Sequence, residues 1–206
     1  HHLRGLIDAE TSGREYAALA EAVLRGLWPV VVAQFASKHG AMPGRGAVVL
    51  GMGSLGAERL NAGSDLDLIV IYDAAGVEMS EGRRPLPART YYARLTQAMV
   101  TAVSALMPEG RLYEIDMRLR PSGTQGPVAT SLVSFMDYQR EHAWTWEHLA
   151  LTRARAVAWS VEVAAEVEAF RQDVLGQGHD RTKVWADVAE MRARISAAKA
   201  PDGPWD

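Results

Sequence analysis

There is no cysteine among the 206 residues. That excludes disulfide frameworks, thiolate nucleophiles and thiolate zinc sites, and it fits a cytoplasmic protein. Long apolar runs are also missing. The longest, around residues 27–35, is broken by Pro29 and Gln34, so no segment is expected to approach the length of a membrane span. No signal peptide is visible. Neither sign of charge dominates, with 22 Lys and Arg against 25 Asp and Glu and a net charge of −3. A surface that coats nucleic acid is therefore not expected, although a local basic cleft is compatible with this balance. No repeat of fixed period and no low-complexity segment is present. The chain lacks a starting Met and is read as a piece of a longer protein; His1 and His2 are set aside as tag-like. What remains, 48% apolar and 23% charged residues, is the composition of a packed globular fold.

The organising stretch is residues 47–73, AVVLGMGSLGAERLNAGSDLDLIVIYD. Two apolar runs flank a Gly-rich turn and a helical patch. Asp65 and Asp67 enter the second run at i and i+2, which places both carboxylates on one face of a strand, about 7 Å apart. Two such charges repel unless a cation lies between them, and a divalent metal answers that need. Alone, an Asp-x-Asp pair also decorates ordinary turns. Gly53 and Ser54 add small side chains and backbone N–H groups at a helix start, a suitable phosphate cradle. Gly-Ser, ten residues, then Asp-Leu-Asp-Leu running into an apolar strand resembles the DNA polymerase β-type nucleotidyltransferase fold. That resemblance implies an α+β architecture: a small mixed sheet with flanking helices, here followed by a helical region.

Along the chain, residues 9–39 read as a helix, with Thr11 or Ser12 as cap and Gly40 as stop. Its apolar stripe is expected at Leu19, Val23, Leu27, Val30, Val31 and Phe35, and Pro29 is expected to kink or break it. Arg25 and His39 read as solvated. Strands are expected at 47–51, 66–73 and 111–119, and helices at 55–61, 88–107, 131–140, 161–175 and 181–199, with 149–158 also read as helical. Tyr92, Leu95, Met99, Val103 and Leu106 recur at helical spacing within 88–107. Residues 200–206 read as a turn-rich tail. These assignments divide the chain into a nucleotidyltransferase domain with its N-terminal helix, 1–128, and a helical region, 129–206.

Moving AMP from ATP requires cations that neutralise the triphosphate and donors that fix the departing pyrophosphate. Asp65 and Asp67 are the candidates for the nucleotide metal, Mg²⁺. Asp116, on the polar face of the 111–119 strand, is the third carboxylate and a candidate to help deprotonate the incoming hydroxyl. Gly53 and Ser54 would hold phosphate. Arg118 and Arg120 would steady the triphosphate or, equally, form salt bridges to Glu114 or Asp116. Glu58 and Arg59 read as a surface pair. His142 and His148 lack a third metal ligand at suitable spacing, so packing or hydrogen bonding is favoured for them. Trp144 and Trp146 read as core or interface anchors, and one of Arg153 and Arg155 is expected to reach the cleft.

Three segments together, GMGSLGAERLNAGSDLDLIVIYD, LYEIDMRLRPSGTQGPVATS and FMDYQREHAWTWEHLALTRARAV, resemble the bacterial glutamine synthetase adenylyltransferase family, the bifunctional adenylyltransferase and adenylyl-removing enzymes of nitrogen control. The AWTWEH and LRPSG segments look like the C-terminal half, which attaches AMP to a tyrosine of glutamine synthetase. The resemblance places the family's metal acids on Asp65, Asp67 and Asp116 and its Gly-rich turn on Gly51, Gly53 and Gly56. Ser54 stands where that family usually has Lys, which removes one cationic phosphate contact. Glutamine synthetase is the implied substrate, and the PII signalling protein is an implied partner of the full-length enzyme. Three alternatives remain: the phosphorolytic, de-adenylylating half, a non-catalytic nucleotide-binding module, and a small-molecule nucleotidyltransferase of the antibiotic-modifying kind. The last lacks the LRPSG and AWTWEH segments.

Overall fold

The computed structural model describes residues 5, 7–108, 110–177 and 181–198. His1, His2, the end of the last expected helix and the 200–206 tail lie outside the described residues. The elements in chain order are α1 (Ala9–His39), β1 (Gly46–Gly51), α2 (Gly53–Gly56), β2 (Leu66–Asp73), α3 (Ala88–Ser104), β3 (Ile115–Asp116), a 3₁₀ turn (Gly123–Gln125), β4 (Ala129–Ser131), α4 (Leu132–Glu141), α5 (Thr145–Leu151), β5 (Arg155–Trp159), α6 (Val161–Gly176) and α7 (Arg181–Ala198). This is a mixed α+β fold, as expected.

β1 runs antiparallel between β2 and β5, and β2 runs parallel to both β3 and β4 on its other side. Both faces of the sheet are covered, so β1 is buried along its whole length and reads as an unbroken apolar run. Leu66, Leu68, Val70 and Tyr72 of β2 pack with Leu24 of α1 and Tyr91 and Leu95 of α3. The alternate residues Ile69 and Ile71 pack with Phe135 of α4 and Val167 and Phe170 of α6. Asp67 belongs to that second face by strand alternation.

Several expectations need correction. α1 is a single helix with Pro29 inside it, and Asp8, not Thr11 or Ser12, is its cap, accepting from Thr11 N–H at 2.7 Å. Its buried face is Ala17, Ala20, Leu24, Trp28 and Val31, whereas Leu19 and Val30 are 57% and 61% exposed. Of the expected stripe, Val31 is buried and Leu27 and Phe35 pack against the core; Leu19 and Val30 fall off this face, and Ala17 and Ala20, too small to stand out as an apolar stripe, belong to it. α1 is also long and apolar enough to cross a membrane by length and composition, contrary to the reading of unbroken runs; in this fold its apolar face packs in the core. His39 is buried, its Nδ1 2.7 Å from Arg84 O. Of the expected apolar positions on α3, Tyr92, Leu95, Met99 and Val103 are buried and Leu106 is not.

Other differences lie nearer the acids. The helix expected at 55–61 is the one-turn α2. The strand expected over 111–119 has only two paired residues, because Asp116 Oδ1 accepts from the Arg118 backbone N–H at 2.7 Å and draws the chain into turns. Residues 149–158 are not one helix. α5 ends at Leu151, and β5 closes the edge of the sheet against β1. A short apolar run such as Ala156-Val157-Ala158 fits either period, and only a free partner edge decides it. The stretch from 129 onward is therefore not purely helical, since β4 and β5 share the sheet with β1 and β2.

Candidate active site

The acids meet at one end of the sheet. β1 ends where β2 begins, with Gly51 opposite Leu68. The turn of residues 61–64 delivers Asp65: Gly63 N–H donates to Asn61 Oδ1 at 2.9 Å, and Asn61 N–H donates to Ser64 Oγ at 3.1 Å. Asn, Gly and Ser are the residues that form such a turn, although the sequence reading ran a helix through Asn61. Two residues on, Asp67 is aligned with Asp116 in the parallel pairing of β2 and β3, so the two share a face with Asp65. Asp65 is exposed, while Asp67 and Asp116 are half-buried.

Electrostatics follow from that placement. Burial first, then the charges of Asp65 and Asp116, push the Asp67 carboxyl above its usual range. Asp116 goes the other way, held down first by the side-chain bond from Arg118, whose Nε–H donates to Oδ2 at 2.7 Å. The ion pair is direct, with Arg118 Nη2 at 2.5 Å from the same oxygen. Both Asp116 oxygens are thus engaged by Arg118. Arg111, not Arg118, pairs with Glu114, at 2.7 Å.

Gly53 is where the turn touches the acids. Its φ is +52°, and a Cβ there would fall 2.2 Å from Asp67 Oδ2, so only glycine lets the turn and the carboxylate share this space. Met52 caps α2 without a side-chain hydrogen bond, and the first N–H groups of a helical turn have no intrahelical acceptor. Ser54 is exposed beside them. Gly56 is required for another reason: a Cβ there would lie 1.7 Å from Arg153 O. The turn is supported from behind by Arg155 of β5, which pairs with Glu21 of α1 and donates to Leu55 O at 3.3 Å. Glu58 joins that cluster at 3.6 Å from Arg155, so it is not the surface partner of Arg59. No sequence signal announces these contacts, which join Arg155 to residues far away in the chain, at separations of 134 and 100 positions for Glu21 and Leu55.

Arg120 belongs to its own loop. It donates to Met117 O at 2.6 Å, Gly126 O at 3.2 Å and Thr124 O at 3.3 Å. The AWTWEH segment forms the corner between α4 and α5 and the first turn of α5. Buried Glu147 accepts from Trp144 N–H at 3.0 Å and from Tyr138 O–H at 2.9 Å. His148 Nε2 lies 2.8 Å from Gln139 O, a hydrogen-bonding role in line with the sequence reading. Trp144 is 70% exposed and is not a core anchor.

The donor set suits a hard divalent cation at Asp65 and Asp67, which offer carboxylate oxygens around a carboxyl already raised by neighbouring negative charge. Among the described residues no three His, Asp or Glu side chains are gathered closely enough to hold a metal ion; Asp116, the third acid of the sequence reading, has both carboxylate oxygens engaged by Arg118. The site is open, with Asp65 and Ser54 at the surface. A nucleophile, a nucleotide and a cation could meet there, on acidic and backbone N–H groups already in place.

Comparison with known proteins bears on this geometry. Residues 1–170 match the family described as glutamate-ammonia ligase adenylyltransferase. The chain is 48% identical over 205 residues to a protein of Mesorhizobium japonicum, 48% identical over 204 residues to one of Xanthobacter autotrophicus and 44% identical over 205 residues to one of Rhizobium meliloti. Each is named bifunctional glutamine synthetase adenylyltransferase/adenylyl-removing enzyme. These alignments cover 98–99% of this chain and 21% of each relative, so the chain spans about a fifth of their length.

Proposed function

Since the chain belongs to the glutamate-ammonia ligase adenylyltransferase family, we propose that the Asp65, Asp67 and Asp116 edge is a nucleotidyltransferase site that moves AMP from ATP to a tyrosine of glutamine synthetase, on a polymerase β-type sheet. The observation that supports the reading is how near Gly53 lies to the Asp67 carboxylate, where a Cβ would fall 2.2 Å from Oδ2: the turn we take to hold phosphate adjoins the acids we take to hold the cation.

Mg²⁺ bound by Asp65 and Asp67 would neutralise phosphate charge and favour in-line attack. The chain's own residues do the rest. Backbone N–H groups of Gly53 and Ser54, with the Ser54 hydroxyl, hold phosphate oxygens in place. Asp116, once released from Arg118, would add a third carboxylate to the cation site and an acceptor for the proton of the incoming hydroxyl. The tyrosine oxygen forms a bond to the α-phosphorus, the bond from that phosphorus to the bridging oxygen breaks, and pyrophosphate leaves with its electron pair. The hydroxyl proton passes to Asp116 or to solvent. Arg118 moves from Asp116 toward the developing negative charge.

The test is incubation of the protein with labelled ATP, Mg²⁺ and unmodified glutamine synthetase, followed by mass analysis, with Asp65→Asn/Asp67→Asn as control. An AMP adduct on tyrosine that is absent with the control supports the reading. Release of AMP from pre-modified glutamine synthetase in phosphate, without attachment, would assign the opposite reaction to the same site. Near-normal transfer by the control variant would overturn the role of the two acids.

A further inference from the structure

We propose that Arg153 binds the β- and γ-phosphates of the nucleotide and receives the leaving pyrophosphate; this rests on the nucleotidyltransferase reading above. The turn that carries Gly53 and Ser54 has two flanks. One touches the acids, where a Cβ on Gly53 would meet Asp67 Oδ2 at 2.2 Å. The other touches residue 153, where a Cβ on Gly56 would meet the Arg153 carbonyl oxygen at 1.7 Å. A triphosphate lying across this turn, with its α-phosphate at the acids, would extend toward the flank where residue 153 packs.

The residue also sits on the correct side of the sheet. Its neighbours Leu151 and Ala154 are buried with Met52, Ile69 and Ile71, the cluster on the same face as Asp67. Three other arginines around the site are already engaged. Arg118 is paired with Asp116, Arg120 holds three loop carbonyls, and Arg155 is paired with Glu21 on the α1 side. Arg59 follows the same turn, its backbone N–H donating to Ser54 O at 2.9 Å, but its backbone lies against Gly13 of α1, the helix that packs on the sheet face opposite Asp67. The Arg153 side chain is exposed and has no hydrogen bond or ion pair among the described residues. A guanidinium fixed at its base and free at its tip suits the spread charge of a pyrophosphate, which it can bind in a bidentate manner. It also supplies the positive charge that Ser54 does not.

Calorimetric titration of the protein with ATP and with AMP in Mg²⁺ tests this, using wild type, Arg153→Ala and Arg153→Lys. The expected result is an ATP affinity about tenfold or more weaker in Arg153→Ala, with AMP affinity unchanged. Arg153→Lys should recover part of the loss, and the salt dependence of ATP binding should flatten in Arg153→Ala. Equal ATP binding by wild type and Arg153→Ala would overturn the role of Arg153 while leaving the nucleotide site intact. Equal loss of ATP and AMP would also overturn it, because a merely structural residue would behave so. Wild type that binds neither nucleotide would refute the nucleotide site itself, and this role with it.

Discussion

Gly53→Ala asks whether the turn is shaped by the carboxylate beside it. At φ +52°, the added Cβ falls 2.2 Å from Asp67 Oδ2 and 3.1 Å from its Cγ. An L-residue in this left-handed region costs about 1–2 kcal/mol, and the contact lies far inside ordinary van der Waals separation. The backbone cannot swing clear. Met52 N–H donates to Asp67 O at 2.9 Å, Gly56 N–H to Met52 O at 2.9 Å and Ala57 N–H to Gly53 O at 3.2 Å. The carboxylate must turn instead, at about 0.5–1.5 kcal/mol if it leaves its rotamer. A total near 2 kcal/mol lowers the melting temperature by roughly 4–8 °C for a chain of this length.

Gly26→Ala is the matched control. Gly26 lies inside α1 with nothing within 4 Å of an added Cβ, so alanine there should stabilise by about 1 kcal/mol and raise melting by roughly 2–4 °C. Thermal scans by circular dichroism read both. Scans with Mg·ATP at about a hundred times its Kd should add about 2.7 kcal/mol to wild type, and Gly53→Ala should lose most of that gain because Asp67 has turned. If Gly53→Ala melted within about 1 °C of wild type and kept the full ligand gain, the proposed coupling of turn and acid would be wrong.

Asp67→Asn should show a pH signature. Because the folded-state pKa is raised, by burial first and then by Asp65 and Asp116, the folded form holds its proton more tightly than the unfolded one. Stability from this group therefore falls as pH rises from its unfolded pKa near about 4 through the folded value, and stays low above it. Without divalent cations, Asp67→Asn should melt above wild type at neutral pH, with the gap closing toward acid; no gap at neutral pH would contradict this. Gly56→Ala, whose Cβ would meet backbone Arg153 O at 1.7 Å, should lower the urea midpoint by more than Gly53→Ala does, and an equal or smaller shift would show that the turn can yield there. Leu24→Ala in the core should cost about 2–5 kcal/mol in chemical denaturation, while Leu19→Ala, 57% exposed, should change stability by less than about 0.5 kcal/mol. The reverse order would restore the stripe first expected for α1.

Much of the site was legible because its residues are close in sequence. Gly53, Ser54, Asp65 and Asp67 lie within fifteen positions, and strand alternation fixes their common face. Asp116 was legible because β3 keeps that alternation at the one place where it pairs with β2. The arginines were not. Whether Arg118 faces a phosphate or its own Asp116 depends on a two-residue turn, and the work of Arg120 as a loop clamp depends on where three carbonyls point. Trp144 and Trp146 stood out by size, yet Glu147 between Trp144 and Tyr138 is the buried member that joins α4 to α5.

By itself, the sequence determined the two central strands, the long helices and the acid pair, since each is set by periodicity or by residues a few positions apart. Family membership followed from the same local segments, later supported over residues 1–170. Only the tertiary structure decided that Arg155-Ala-Val-Ala-Trp159 is a strand, because that choice depends on an open edge of β1 more than a hundred residues earlier. It alone placed Glu21 behind the Gly-Ser turn and Arg153 against Gly56. Such contacts follow from how layers stack on the sheet, and no local pattern encodes which distant side chain a packed neighbour will bring.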